Sequence, residues 1–130
     1  MTQWMGGHYN LPLNGSTYSD AASAYVLTSH GAWNYKRSYA ITPSNAHAFL
    51  KMPDARLCPT GAELYYFQNM HADTLGVKCV NHDGTLLAAI APQNDSNENF
   101  VVVCLSDNSS AAGVWHFLGY GGDKLYVVGT

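Results

Sequence analysis

Charge is what this chain of 130 residues has least of. Lys, Arg, Asp and Glu together make up only 12% of it, about half of the ~25% usual in a soluble domain. A net charge of −3 leaves no basic footprint of the kind a nucleic-acid-binding face requires, and Lys36-Arg37 is the only adjacent basic pair. Cysteine is sparse as well. Cys58, Cys79 and Cys104 are odd in number and contain no CxxC spacing, which argues against a disulfide framework and against a structural zinc site. No metal and no cofactor are expected. No apolar run approaches the ~18 residues of a membrane-spanning helix. The opening stretch MTQWMGGHYNLPLNGSTY has neither the basic nor the apolar region of a secretory signal. Synthesis in a reducing cytosol without a membrane partner is the expectation. No GxSxG, HExxH or P-loop motif is present.

Gly, Ser, Asn, Thr and nine tyrosines stand where charge would be. Interfaces between proteins are depleted of charge and enriched in Tyr and Trp at their centres, so this composition suits a surface that touches other protein. The length fits one domain, which at this size buries roughly two-thirds of the surface its unfolded chain exposes.

Two regions differ along the chain. In residues 1–34, Gly6-Gly7, Asn14-Gly15-Ser16 and Ser19-Asp20 interrupt any period, while Trp4, Tyr9, Tyr18, Tyr25 and Trp33 are scattered between them. A solvated tail would not carry so many large aromatics. The segment reads as an extended arm lying against its own domain or a neighbour, with one short helical turn at Ala21 to Leu27 capped by Ser19 or Asp20. From residue 35 to 130 strand signals are dense. Strands are predicted at 36–42, 46–52, 63–69, 74–80, 85–91, 99–106, 113–119 and 124–129, separated by Pro-, Asn- and Gly-rich turns. The expected fold is all-β: an antiparallel β-sandwich or jelly-roll-like domain. Asp83-Gly84 predicts a type I′ hairpin turn, and Gly121-Gly122 a second hairpin.

The alternation within strands carries the functional signal. In 99–106, Phe100, Val102 and Cys104 share one face and Val101, Val103 and Leu105 the other; in 113–119, Val114 and Leu118 oppose Trp115 and Phe117. Antiparallel sheets normally turn one face to water, so a second apolar face calls for cover from loops, from the arm or from another subunit. Little charge is available to blunt sheet edges, which favours subunit contact.

Clusters with chemical potential are weaker. His71 and Asp73 would sit at one end of strand 74–80 and His82 and Asp83 at the other, more than ~20 Å apart at ~3.3 Å per residue; they read as loop and turn residues. Cys104 and Cys79 lie in apolar alternation and read as small buried hydrophobes, with Cys58 beside Pro59 less defined. His116 reads as a sheet-face residue, with an interface pH switch as the other reading. Asp95-Ser96-Asn97-Glu98-Asn99 lacks the spaced oxygens of a calcium loop. Tyr65, Tyr66, Phe67 and Trp115 could stack on sugars as surface aromatic contacts, although core and interface burial suits them better.

The stretch from about Tyr39 to Gly122 resembles the small β-domains of tailed-bacteriophage virion proteins. The order that carries the resemblance starts with a strand ending in a Met-Pro-Asp corner (Phe49 to Ala55). It continues with Gly and an aromatic strand ending in Asn (Gly61 to Asn69), and then a hairpin with a polar-Asp-Gly turn (Leu75 to Ile90) followed by Pro92. It closes with an apolar strand (Phe100 to Leu105), Asp107-Asn108, and Ala112-Gly113-Val114-Trp115. Gln93 stands where such domains often have Gly, the loop 93–99 is longer, and the arm has no counterpart. Domains of this kind occur in capsid decoration proteins, head and tail fibres and baseplates.

The resemblance implies a non-enzymatic virion structural protein, made in the host cytoplasm. A capsid decoration (cement) protein is the first reading, bound to the major capsid protein or another virion protein. Closed symmetry is the default for such assemblies, and a trimeric homo-oligomer is the first guess. Trp4, Tyr9, Tyr18 and Trp33 are the expected interface anchors of a docking arm, as Trp and Tyr are enriched at hot spots. A receptor- or glycan-binding appendage module is the second reading, and a small hydrolase with a dispersed Ser/His/Asp set the third.

Overall fold

The computed structural model describes residues 8–27, 37–44, 48–61, 63–71, 75–92 and 100–120. These form nine strands: β1 His8–Leu13, β2 Tyr25–Val26, β3 Arg37–Pro43, β4 Ala48–Lys51, β5 Glu63–Asn69, β6 Val77–Val80, β7 Leu86–Ile90, β8 Phe100–Asp107 and β9 Val114–Tyr120. The only helical element among the described residues is a 3₁₀ turn, Ala55–Leu57. The fold is all-β, in two sheets ordered β1-β3-β5-β8-β9 and β2-β4-β6-β7. The predicted strand 124–129 and the Gly121-Gly122 turn lie outside the described residues.

The sheets are mixed, which corrects the antiparallel expectation. β1, β3 and β5 run parallel, as do β2, β4 and β6, while β5-β8-β9 and β6-β7 are antiparallel. The cause is the order in which the chain visits the sheets. From β1 to β6 it alternates between the larger and the smaller sheet. Parallel neighbours need a long crossover connection, and here each crossover is a strand of the other sheet. Pro43-Ser44 and Pro53-Asp54 therefore turn the chain out of its sheet, not back along it. Among the described residues, only the turns after β6 and β8 return the chain to its neighbour as hairpins.

The first of these hairpins also departs from expectation. The Gly84 N–H donates to the Asn81 carbonyl at 2.9 Å and the Asn81 N–H to the Thr85 carbonyl at 2.7 Å. Gly84 alone in the turn has positive φ (93°), whereas a type I′ turn needs it at both central residues. Asp83 is held out of that conformation while its carboxylate accepts the Thr85 N–H at 3.0 Å. The extra residue is absorbed as a register shift beside Val80.

Residues 8–27 contribute a strand to each sheet. β1 is an edge strand paired along its length with β3, and β2 pairs with β4. Leu11, Leu13 and Leu27 belong to the core. The Ala21 to Leu27 turn shortens to a single reverse turn closed by Asp20: the Ser23 N–H donates to the Asp20 carboxylate at 2.9 Å, and the chain re-enters β structure at Tyr25.

One cluster of buried side chains draws on both sheets. Tyr39, Ile41, Tyr65, Phe67, Val101, Val103 and Phe117 come from the larger sheet, and Leu50, Val77, Cys79, Ala88 and Ile90 from the smaller. Each fully buried Val, Leu, Ile or Phe side chain among them contributes about 1.5–3 kcal/mol. Asn69, fully buried at the end of β5, ties the sheets together. Its amide donates to the Leu75 carbonyl at 2.9 Å and the Ile90 carbonyl at 3.0 Å, and its carbonyl accepts the His71 N–H at 2.9 Å. Every polar atom of its amide group is thus used, as burial demands.

The loop into β9 is fixed by close approach. Gly113 has φ +60°, and an added Cβ would overlap the Ala55 Cβ and lie 2.8 Å from the Asp107 carbonyl oxygen. The 3₁₀ turn docks there, with the Ala55 N–H donating to the Ala111 carbonyl at 2.9 Å and the Asn108 amide to the Cys58 carbonyl at 2.9 Å. The glycine of the Ala112-Gly113-Val114-Trp115 motif thus has a packing reason.

Candidate functional site

The most developed side-chain constellation lies at the β1 edge. Arg37 and Tyr39 are two residues apart on β3, so both project from one face. Tyr9 is the register partner of Tyr39 on β1. Its ring stacks on Tyr39 at 5.7 Å between centroids, and the Arg37 guanidinium lies over the Tyr9 ring at 5.3 Å. Arg37 Nη1 also donates to the Tyr39 hydroxyl at 3.4 Å. Tyr25 meets Tyr18 edge-on at 5.6 Å, and both pack against the core. Burial raises the pKa of the Tyr39 hydroxyl; Arg37 opposes that shift, and Tyr25 and Tyr9 add to it. Tyr9, Tyr25 and Arg37 are therefore electrostatically linked to Tyr39, and Tyr18 joins them through its ring contact with Tyr25.

The constellation runs inward as well. Tyr39 approaches Phe67 at 5.8 Å and Tyr65 at 6.4 Å, and Tyr65 approaches Trp115 at 6.3 Å. Pairs in this range contribute about 0.5–1.5 kcal/mol each beyond burial. The outermost member, Tyr9, is 41% exposed. It is braced from behind by Tyr39 and overlaid by a cation. Such a ring presents its exposed edge, and the neighbouring guanidinium and phenols offer polar groups for a sugar, a carboxylate or a peptide.

The sequence-selected residues separate into three groups. Trp4 and Trp33 lie outside the described residues. Tyr9 stacks on Tyr39 and Tyr18 meets Tyr25, and neither Tyr39 nor Tyr25 is among the expected anchors. Tyr65 and Trp115 are not surface contacts: Tyr65 is fully buried and Trp115 only 8% exposed. A register shift between Glu63 and Tyr65 on β5 lets Leu64 and Tyr65 both enter the core and leaves Tyr66 on the outer side. There Tyr66 stacks on Phe100 at 5.3 Å. The signal that could have found Arg37 and Tyr39 is their i, i+2 spacing on a strand.

The titratable candidates stay dispersed. His71, beyond the end of β5, accepts the Leu75 N–H at Nδ1 at 3.5 Å. His82 and Asp83 sit in the β6-β7 turn, and Asp73 and residues 95–99 lie outside the described residues. His116 pairs with Ser106 Oγ at 2.9 Å on the exposed side of β9. Burial pushes the Cys79 thiol well above its usual range. Cys58 is buried too, whereas Cys104 is only half-buried, because it lies on the outer face of β8. Among the described residues, no three His, Cys, Asp or Glu side chains gather as a metal site would require. No family model, curated protein or solved structure matches the chain.

Proposed function

We propose that the chain is a non-enzymatic structural protein of a tailed-bacteriophage virion. In this reading it is a capsid decoration protein with a β-sandwich or jelly-roll arrangement of its two sheets. It binds the major capsid protein or another virion protein and acts as a homo-oligomer. The observation that carries the proposal is the outer face of the larger sheet. Tyr66, Val102 and Leu118 stand in one cross-strand row of β5, β8 and β9, beside Phe100; Leu118 and Val114 are 40% and 46% exposed, Tyr66 and Phe100 are half-buried, and Val102 between them is only 8% exposed. Single exposed apolar residues are ordinary, whereas apolar residues gathered on one sheet face suit contact with another protein. The order of corner, aromatic strand, Asp-Gly hairpin and Ala-Gly-x-Trp supports a virion setting for that surface.

The test is mass spectrometry of purified phage particles encoded with this chain, together with a cryo-electron microscopy map. Peptides in stoichiometric ratio to the capsid protein, with density on the head exterior, are the expected result. A chain abundant in infected cells but missing from the particles overturns the proposal.

The Tyr9, Arg37 and Tyr39 arrangement supports a second reading, a glycan-binding appendage module, because an exposed phenol beside a guanidinium suits hydrogen bonding to sugar hydroxyls. A glycan array separates the two. Binding to a defined sugar that is lost in Tyr9→Ala favours the appendage module, and an array without signal favours decoration.

A further inference from the structure

A line of oxidisable rings runs from the core to the β1 rim. Trp115 approaches Tyr65 at 6.3 Å between centroids, Tyr65 approaches Tyr39 at 6.4 Å, and Tyr39 stacks on Tyr9 at 5.7 Å. Trp115, Tyr65 and Tyr39 are buried, and Tyr9 alone of the four is exposed. Packing does not call for these residue types. Phe67 lies 5.8 Å from Tyr39 and 5.7 Å from Tyr65, so phenylalanine suits this part of the core and buries no hydroxyl. Trp115 Nε1 is buried with no hydrogen-bond partner among the described residues, which leaves the desolvation penalty of its N–H uncompensated. Burial also pushes the Tyr65 and Tyr39 phenols above their usual pKa. What Trp and Tyr have and Phe lacks is a ring that yields one electron to a moderate oxidant.

We infer that Trp115, Tyr65, Tyr39 and Tyr9 form a relay that carries one-electron oxidation out of the core to the surface. The substrate class is a one-electron oxidant, and the role goes beyond the structural reading above without resting on it. An oxidant that takes one electron from the Trp115 indole leaves a radical cation, which keeps its proton because Nε1 meets no acceptor. Electrons then move inward ring by ring, from Tyr65 to Trp115, from Tyr39 to Tyr65 and from Tyr9 to Tyr39, so the hole travels outward. Rings in such contact lie well within tunnelling range. Tyr65 and Tyr39 hold the hole only in passing, since a phenol must shed its proton to become a stable radical and both are buried. Arg37 donates to the Tyr39 hydroxyl at 3.4 Å and lies over the Tyr9 ring at 5.3 Å, so its positive charge opposes a cation on either ring. Tyr9 escapes that penalty: its exposed phenol gives a proton to water and becomes a neutral phenoxyl radical, which traps the hole. The Cys58 thiol, hydrogen-bonded with Tyr65, is buried and offers no such exit. A soluble reductant such as ascorbate restores Tyr9 by returning one electron and one proton.

Flash photolysis tests the relay in a W4F/W33F background, where Trp115 is the sole indole. Light at the red edge of the indole band, where tyrosine does not absorb, ejects an electron from Trp115. A cobalt(III) ammine in solution takes up that electron and keeps it as cobalt(II). The indole-radical absorbance is expected to decay as the tyrosyl absorbance rises. A nitroso spin trap with peptide mass mapping is expected to place the adduct on Tyr9. In Y9F, a change at an exposed position, the tyrosyl rise is expected to be lost and the indole radical to persist. Y65F and Y39F keep the rings but remove the oxidisable phenol, and loss of the Tyr9 adduct is expected in each, with thermal unfolding as the check that both fold. An adduct on Tyr9 undiminished in both variants overturns the inference. So does an adduct on Tyr25, Tyr66 or Cys58 in its place, or an indole radical that decays in Y9F as fast as before.

Discussion

The two rims of the larger sheet solve opposite problems. At the β1 rim, main-chain pairing is blocked by Pro12, while side chains project outward: Tyr9 is exposed, stacked and capped by Arg37. At the β9 rim none of the described positions 114–120 carries a formal charge, while the large side chains of Trp115 and Phe117 point into the core. One rim therefore presents a side-chain constellation outward, and the other turns its large side chains inward. The parallel half of the sheet, β1-β3-β5, gains its strands from crossovers, and its edge is anchored by Leu11 and Leu13. The antiparallel half, β5-β8-β9, ends in a local hairpin, β8-β9, whose geometry depends on one loop.

That dependence can be broken at Gly113. In Gly113→Ala, the new methyl meets Ala55 and the Asp107 carbonyl oxygen, in a backbone region that side chains rarely adopt. Positive φ and overpacking each cost about 1–3 kcal/mol, so a loss of about 4 kcal/mol is expected in urea unfolding. A loss below about 1 kcal/mol, the size of an ordinary surface change, would show that the loop relaxes freely. The β1 rim predicts the next largest effect. Leu13→Ala empties a fully buried site and should cost about 3 kcal/mol, whereas Leu118→Ala, on the outer face of β9, should cost less than about 1 kcal/mol in the single chain. Equal costs would mean that the first strand is not anchored as described.

Much of this contrast was legible in the sequence, and the missing part has a physical cause. The strand at 63–69 was found to the residue, because Gly61 and a buried Asn69 mark its ends. The two faces of β8 and β9 followed from alternation alone. Strand direction did not, since alternation is the same in parallel and antiparallel pairs, and Pro43-Ser44 reads as a turn whether it leads back along the sheet or across to the other one. Tyr65 was misplaced because a register shift in β5 moves it to the inner face, and such a shift depends on the partner strand. Arg37 and Tyr39 were within reach of a strand period, but their union with Tyr9 requires knowing that β1 lies beside β3. Asp-Gly located the hairpin correctly yet not its type, which the Asp83 side chain decided by bonding Thr85.

The smallest predicted effect sharpens the comparison by pH. The 3₁₀ turn that supports the β9 loop is capped by Asp54, whose carboxylate accepts from the Arg56 backbone N–H at 3.0 Å, from Nε at 3.0 Å and from Nη2 at 2.7 Å. The Arg56 side chain, with its backbone N–H adding to the effect, pulls the Asp54 pKa down from 3.8 to about 2. A carboxyl whose pKa is lower in the folded state binds its proton more readily when unfolded, so its contribution is fully present above 3.8 and fades as pH falls towards 2. The pair is solvent-exposed, so the change in overall stability is slight, and salt weakens it. What should respond is local order. Between pH 4 and 2, amide exchange should quicken first at residues 55–58 and 111–113, ahead of β1, and Asp54→Asn should remove that pH dependence. A carboxyl resonance of Asp54 titrating near 3.8 would mean that the Arg56 pair does not hold in solution, and acid should then loosen both rims alike.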